Sequence, residues 1–504
     1  MKKLLRSLKW IDDNLIRLMV VVFIFLIPLY PKFPIRIIDY TYIAVRAEDI
    51  YIGLLLVVFL VQLIRKKIQL RTDFWKLFAL FWGAVSLSFV VNAYGTGTII
   101  YKHLGFLHAA RRFEYMVIFF IAASSVRSWK HFKTYLYLII SVVFIAAVYG
   151  IGQKYAGWPA VQTMNPEFAK GHLLYLTPEA RVSSTFAGHY DLAAYLVLTI
   201  PMILGLYFSK YRKMLFVVFV TTVLTLMLTA SRISYIAYIV STFGLLIFLR
   251  KYKYLIGVAI LTAVLTFLSS NLTSRFLKTV QVRQIFVNEK TGQVVVPQKT
   301  SSKELPAGTY YIPIKDQTEK SAQQTKENEQ LVQQKIIEDL QSEASRSGRI
   351  LTSSEAAQLA ATAAANLKPV NTVISDISFA TRLQVEWPRA VQAFLKDPIL
   401  GTGPSSITES TDNDYLRWIG EFGALGTGAF LWILLSIGKR VWDKSRKLEP
   451  GVRVIYTGFL FGLAGLMMNA SYIDVFEASK VAYTFWLIAG IFVASLYYAK
   501  PKNS

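Results

Sequence analysis

The chain has 504 residues, of which 54% are hydrophobic, and its mean hydropathy is +0.42, which excludes an ordinary soluble globular protein. Its net charge of +24 fits either nucleic-acid binding or the basic cytoplasmic loops of a membrane protein. The basic clusters are short and lie between apolar runs, as at 65–67, 210–213 and 250–253, so the membrane explanation is preferred and no nucleic-acid partner is expected.

Twelve apolar segments, each roughly 17–21 residues long, are predicted to cross the bilayer as helices. They lie near residues 15–31, 49–65, 74–92, 106–126, 133–153, 191–208, 213–230, 233–250, 253–269, 423–441, 452–470 and 480–498. The sequence therefore predicts an all-α polytopic membrane protein with about 12 transmembrane helices, nine within 1–269 and three within 423–504. An even number of spans places both termini on one side, and the basic residues from Lys2 to Lys9 predict that this side is the cytoplasm.

The segment 270–422 differs from the spans in composition. Between residues 271 and 400, 16 Lys and Arg stand against 13 Asp and Glu, so the bias of a cytoplasmic loop is missing. Short strands are predicted at Gln293–Pro297 and Tyr310–Ile314, followed by a polar helix and by an Ala-rich helix. We therefore expect a long extracytoplasmic loop that carries short helices and a small β insert, with 285–370 as an accessory insert.

Arginines on the predicted outer side are the first candidate site residues, because the charge bias of membrane proteins acts against them there. Arg181 precedes the sixth span, Arg232 follows the seventh, and Arg382 lies in the long loop, with Arg46 as a further case. Each could be a snorkelling anchor at the membrane boundary. His189 and Asp191 follow Arg181 closely, however, and a pair of guanidinium groups is suited to an oxyanion-rich group such as a diphosphate.

A second group of candidates lies between residues 382 and 426. Asp412 could cap a short helix that leads into the tenth span, or it could act as a carboxylate general base. Asp412 and Asp414 also form an Asp-x-Asp pair, the weakest of the three alternatives, and no metal is expected. Tyr415 and Glu421 follow and, together with His189 and Asp191, are candidate supporting residues.

Short motifs between about 180 and 440 carry a family resemblance. They are Arg181 with Thr185-Phe186, Ser231-Arg232, Arg382-x-x-x-x-Trp387, Pro398-Ile-Leu-Gly-x-Gly403, Asn413-x-Tyr-Leu416 and Glu421-x-Gly-x-x-Gly426. Their order, with a long outer loop between the ninth and tenth spans, resembles the O-antigen ligase and O-antigen polymerase superfamily of bacterial envelope polysaccharide enzymes. The twelve-span plan extends this resemblance over the whole chain.

The resemblance implies an inverting, metal-independent glycosyltransferase of the bacterial cytoplasmic membrane, without a cofactor. It would transfer a glycan from a polyprenyl diphosphate to a hydroxyl of a glycan, lipid or protein acceptor at the outer leaflet. In this family pattern Arg181, Arg232 and Arg382 are candidates for the diphosphate, with Arg232 also assisting catalysis. The family usually has a histidine where this chain has Asp412, which is the candidate base here.

Two other classes of function are compatible with this organisation. One is a transporter that flips the same lipid-linked glycans, although no internal hydropathy repeat supports it. The other is a catalytically inactive scaffold, which the missing histidine would favour. Within the enzyme class, ligase, polymerase and protein O-oligosaccharyltransferase share one chemistry and differ in the acceptor.

Overall fold

The computed structural model describes two compact units within this chain. The first comprises Met1–Thr273 and Arg389–Ser504, and the second comprises Ser274–Pro388. The described residues are 2–37, 44–68, 73–163, 170–210, 213–269, 272, 280–288, 294–295, 329–334, 336–338, 340–341, 353–364, 367–375, 381–407 and 411–501.

Helices dominate the described residues and are numbered here in chain order. They are α1 (Lys2–Leu29), α2 (Ala47–Ile64), α3 (Trp75–Val90), α4 (Lys102–Ser125), α5 (Trp129–Tyr155), α6 (His189–Lys210), α7 (Lys213–Leu228), α8 (Arg232–Phe248), α9 (Tyr252–Leu268), α10 (Ser353–Ala364), α11 (Trp387–Lys396), α12 (Asp414–Ser445), α13 (Pro450–Ala470) and α14 (Ser479–Ser495). In addition, α3 continues into a π-helical turn, Val91–Gly95, and another π-helical turn, Arg382–Glu386, precedes α11. Two short strands, β1 (Pro34–Ile37) and β2 (Ala44–Arg46), pair antiparallel between α1 and α2.

Each of the twelve predicted membrane segments overlaps one long helix of the described residues. Six of these helices are long and apolar enough to cross a membrane: α2, α3 with its π-helical turn, α5, α6, α12 and α13. Four shorter helices, α7, α8, α9 and α14, are also apolar. The chain is thus a multi-pass, largely helical membrane protein, and the number of twelve spans, like the cytoplasmic placement of the termini, stays a prediction.

The centre of the first unit is formed by α6, where every residue from Leu192 to Leu206 is buried. Helix α13 packs closely along it through a Gly-x-x-x-Gly pair. A Cβ atom on Gly458 would come within 2.5 Å of the Pro201 carbonyl oxygen, and one on Gly462 within 2.2 Å of the Leu198 carbonyl oxygen. Small residues permit this approach of two backbones, which is a common basis of helix association in membranes.

The Gly462→Val substitution should therefore lower thermal stability. The added side chain has no space against α6, and overpacking of this kind costs about 1–3 kcal/mol or more. The matched control is Gly257→Val in α9, because a Cβ atom at Gly257 meets nothing within 4 Å. Unfolding temperatures of the purified proteins in detergent provide the measurement. Equal unfolding temperatures for the two variants would disprove the close contact between α6 and α13.

Helix α12 is kinked at Gly423, whose φ of 61° lies in the left-handed region. The kink coincides with the predicted start of the tenth span and separates a first segment from 414 to 422. The loop after α11 packs on the kink: the amides of Ala424 and Leu425 donate to the carbonyls of Pro398 and Ile399, at 2.8 and 3.2 Å. Two of the family-like motifs thus contact each other, and the loop satisfies amides that the kink frees.

The described part of the second unit contains a three-stranded antiparallel sheet in the order β4-β3-β5. Its strands are β3 (Val280–Asn288), β4 (Val294–Val295) and β5 (Leu367–Ser375). The predicted strand Gln293–Pro297 contains β4, and its other residues lie outside the described residues, as does Tyr310–Ile314. The Ala-rich helix is α10, and Pro369, near which it was predicted to end, lies in β5. Proline is tolerated there because β5 is an edge strand of the described sheet.

Candidate functional site

A cavity of about 490 Å³ opens in the first unit, within the size range of small-ligand sites. Segments that are distant in sequence form its wall. Its lining residues are Lys32, Arg46, Arg111, Tyr115, Thr163, Ala187, Gly188, Tyr190, Asp191, Asp412, Arg417, Ile473, Asp474, Glu477, Ala478 and Ser479. The cavity is therefore rich in charges of both signs, which is unusual for a protein of this hydropathy and makes it the candidate functional site.

Three cationic side chains reach the cavity from the N-terminal part of the chain. Lys32 is only 5% exposed and donates from Nζ to Ser479 Oγ at 2.6 Å, and burial lowers its pKa to about 8. Arg46 is 6% exposed, and burial lowers the pKa of its guanidinium. Arg111 donates to the Tyr115 hydroxyl at 3.3 Å. A buried charge is costly unless it is compensated, so these groups favour an anionic ligand.

Arg46 provides the sharpest indication of an anionic ligand. Its Nε is buried, and no described residue accepts a hydrogen bond from it. The carboxylate of Asp49 accepts a hydrogen bond from the backbone amide of Arg46 at 2.8 Å. Glu48 and Asp49 are the acidic residues that interact electrostatically with the Arg46 guanidinium. Since buried donors in native proteins are normally satisfied, an oxyanion in the cavity would complete this side chain.

Two carboxylates, Asp191 and Asp412, line the same cavity. Asp191 lies in the first turn of α6 and interacts electrostatically with Lys32, Lys480 and Asp412. Asp412 has a φ of 48°, a left-handed conformation that is uncommon for a residue other than glycine. Strained backbone of this kind is often found at functional sites.

Asp474 holds the backbone on both sides of Asp412. Its carboxylate accepts from the amide of Thr411 at 3.2 Å and from the amide of Asn413 at 2.9 Å. It also accepts from the Arg417 guanidinium at 2.8 Å, in a contact that is largely buried. The carboxylate of Asp474 thus fixes the unusual conformation in which Asp412 faces the cavity.

The alternative in which Asp412 caps the following helix is wrong. The N-cap residue of α12 is Asn413, whose side-chain oxygen accepts from the Leu416 amide at 3.0 Å. Asp414 is buried and accepts from the Phe476 amide at 3.1 Å, so the Asp-x-Asp pair does not face one site. The capping role therefore belongs to the neighbouring residue, and the side chain of Asp412 lines the cavity instead.

Glu421 and Tyr415, the predicted supporting residues, have structural contacts. Glu421 is fully buried and pairs with Arg112 at 2.7 Å, and it also lies 3.5 Å from Arg417. The Tyr415 hydroxyl donates to the Met467 carbonyl at 2.7 Å, which joins α12 to α13. Glu421 thus compensates the buried Arg112 and Arg417, since a buried ion pair needs both members.

Lys480 ties three segments together beside the cavity. Its Nζ donates to the carbonyl oxygens of Pro28 at 3.2 Å, Tyr30 at 2.6 Å and Thr185 at 2.7 Å. Carbonyls at the end of a helix have no partner within the helix, and here a lysine from α14 supplies the donor for the end of α1. Lys480 thereby joins the start of α14 to the end of α1 and to the segment before α6.

Lys480→Met should destabilise the protein, because it leaves three carbonyls without their donor while nearly conserving side-chain volume. Each unsatisfied buried group costs about 1–3 kcal/mol. The unfolding temperature in detergent is the measurement, and Lys253→Met, at an exposed position at the start of α9, is the control. A variant as stable as the wild type would show that the lysine contributes no net stabilisation.

The three predicted diphosphate arginines lie outside the lining of this cavity. Arg181 contacts the His189 ring and lies over Tyr190, 5.7 Å from its centroid, and Tyr190 in turn lines the cavity. Arg232 is half-buried at the first position of α8. Arg382 is buried in the second unit, at the start of the π-helical turn. Their roles toward a diphosphate stay predictions.

Several of the cavity residues were not predicted from the sequence, because the motifs on which that prediction relied all lie after residue 180. Charged residues inside the predicted span 106–126 were the available signal: Arg111 and Arg112 interrupt an apolar run, where ionisable side chains are costly and often functional. Asp474 and Glu477 likewise precede the last predicted span. Lys32 gives no sequence signal of its own.

Comparison with known proteins gives a family match. Residues 217–431 match the model of the family described as O-antigen ligase, a region that contains Arg232, Asp412 and Glu421. No curated protein matches the chain. The matched region ends before the α13–α14 segment and begins after Lys32, Arg46 and Arg111, so the cavity combines matched and unmatched parts of the chain. This match, over less than half of the chain, confirms the resemblance to the O-antigen ligase superfamily that the sequence motifs indicated.

Proposed function

We propose that this protein transfers a glycan from a polyprenyl-diphosphate donor to an acceptor hydroxyl at the outer leaflet of the cytoplasmic membrane. The match of residues 217–431 to the O-antigen ligase family supports glycan ligation or polymerisation at a membrane by an enzyme of the glycosyltransferase type. The chemistry of the cavity supports the finer proposal on the donor. The observation that carries it is the incompletely hydrogen-bonded, buried guanidinium of Arg46 beside Lys32 and Arg111.

A diphosphate leaving group suits the charges of this cavity. In the transfer its oxygen gains negative charge as the bond to the sugar breaks, and fixed cations stabilise that charge without reorganisation. Arginine can contact two phosphate oxygens at once, whereas lysine acts as a point charge. Arg417 contributes less, because Asp474 and Glu421 already compensate it. Lys32, Arg46 and Arg111 therefore form the proposed diphosphate site.

Asp412 is the proposed proton acceptor. The acceptor hydroxyl attacks the anomeric carbon of the donor, the bond from that carbon to the diphosphate oxygen breaks, and the hydroxyl proton passes to the carboxylate. Asp191 lies in the first turn of α6 and also lines the cavity, which makes it the alternative base. Asp412 faces the cavity from a loop that Asp474 fixes.

Arg181, Arg232 and Arg382 are proposed as further contacts of the lipid-linked donor. The position of Arg181 beside Tyr190, which lines the cavity, supports its participation. The protein would need no metal ion, since lysine and arginine side chains would neutralise the diphosphate. No cofactor is proposed, and the acceptor is a hydroxyl of a glycan, a lipid or a protein.

Purified protein in proteoliposomes, supplied with a radiolabelled polyprenyl-diphosphate glycan and a membrane acceptor fraction, tests this function. We expect labelled glycan on the acceptor and release of polyprenyl diphosphate in equal amounts. Movement of the glycolipid between leaflets without release of the diphosphate would instead establish the transporter alternative. Absence of both, from protein that restores envelope glycan in a deletion strain, would establish the scaffold alternative.

A further inference from the structure

A second cavity, of about 300 Å³, lies at the ends of three apolar helices in the first unit. Its basic lining residues are Arg250, just after α8, Arg446, just after α12, and Arg453, in the first turn of α13. Among the described residues that line it, none is acidic. None of these three arginines forms an ion pair within the described part of the chain, which makes the cavity a concentrated cationic site.

Apart from Thr457, the other residues that line this cavity are apolar. Phe248 is 41% exposed and its ring centroid lies 5.7 Å from that of Trp442, over which the Arg446 guanidinium lies at 5.8 Å from the ring centroid. On α8, Val240 and Ile247 are also exposed, at 54% and 52%, and lead along the helix surface to Phe248. An exposed apolar surface that ends in a cluster of arginines matches a ligand with a hydrocarbon part and a phosphate.

We infer that this cavity binds the phosphate group of an anionic membrane phospholipid, with an acyl chain along the exposed face of α8. The position supports this ligand, because the ends of membrane-spanning helices lie at the depth of lipid headgroups. Three guanidinium groups from three helix ends can share the oxygens of one phosphodiester. Lipid binding would join α8, α12 and α13, and it is independent of the glycan-transfer reaction.

Native mass spectrometry of the purified protein with phosphatidylglycerol, or with phosphatidylcholine as the zwitterionic reference, tests this inference. We expect preferential retention of phosphatidylglycerol by the wild type. The combined variant Arg250→Gln, Arg446→Gln and Arg453→Gln should lower its occupancy by about tenfold or more, since charge-assisted contacts to phosphate are lost. The control variant, Lys66→Gln, Lys130→Gln and Lys253→Gln, removes the same charge at exposed positions outside the cavity and should bind normally.

If the triple variant does not purify, the three single variants provide the test. Each single variant should lower phosphatidylglycerol occupancy, by a factor several times smaller than that of the triple variant. Equal retention of the two lipids by the wild type would overturn the inference. So would an equal loss in the control variant, which would indicate attraction by overall charge. In a third outcome, excess inorganic phosphate would displace phosphatidylglycerol and be retained in its place. This result would assign the cavity to a soluble anion and overturn the assignment of a phospholipid.

Discussion

Replacing Arg46 by glutamine should lower the rate of glycan transfer by about 100- to 1000-fold, the usual effect of removing one donor that stabilises a developing oxyanion. Arg46 is buried at the cavity and its Nε has no acceptor among the described residues, so its loss should affect the leaving diphosphate directly. Arg46→Lys should also lose most of the activity, because an ammonium group cannot make the bidentate contact.

The control for this prediction lies on the same hairpin. Arg36 is exposed on β1, opposite Val45 of β2, and Arg36→Gln removes an equal charge without altering the cavity lining. Transfer from a lipid-linked donor in proteoliposomes, at matched protein amounts, is the measurement. Wild-type rates for Arg46→Gln would show that the diphosphate is held elsewhere, whatever the rate of the control.

Asp412→Asn should reduce transfer by about 100- to 10,000-fold, because the amide cannot accept the hydroxyl proton. Its unfolding temperature should stay near that of the wild type, since Asn413 and not Asp412 caps α12. Asp443→Asn, on an exposed face of the same helix, is the control and should retain activity. Full activity of Asp412→Asn would show that Asp412 is not the general base, and Asp191 would become the candidate for that role.

Asp474→Asn distinguishes positioning from proton transfer in the same assay. The carboxylate accepts two backbone amides beside Asp412 and the Arg417 guanidinium, so its removal should lower both activity and unfolding temperature. Asp412→Asn, by contrast, should affect activity alone. This difference separates a group that touches the reacting atoms from one that holds the loop in place.

The helical organisation could be predicted from the sequence because the membrane imposes a strong constraint on each segment. A span needs an apolar run of sufficient length, and its backbone must form a helix, so each of the twelve segments could be located without tertiary information. The break in α12 at Gly423 was also predictable in part, as the boundary between a short helix and a span. Six of the twelve helices meet the criteria for a span by length and hydropathy.

The candidate site was less accessible from the sequence. Asp191 and Asp412 could be identified because each stands beside other polar residues near the end of an apolar segment. Lys32, Arg46 and Arg111 come from three separate segments, and only tertiary packing brings them to one cavity. The other outer-side arginines had the same sequence signal as Arg46, yet the lining includes Arg46 and none of them. Charge at a helix end predicts a boundary position and does not specify the direction of the side chain.

Equilibrium binding of polyprenyl diphosphate to purified protein tests most directly whether the cavity lined by Lys32, Arg46 and Arg111 holds the donor diphosphate. Binding by the wild type should be compared with binding by Arg46→Gln and Arg232→Gln, both shown to be folded by their unfolding temperatures. We predict that Arg46→Gln weakens binding by at least about tenfold. Normal binding by Arg46→Gln, with loss of binding by Arg232→Gln, would contradict this assignment and place the diphosphate at the start of α8.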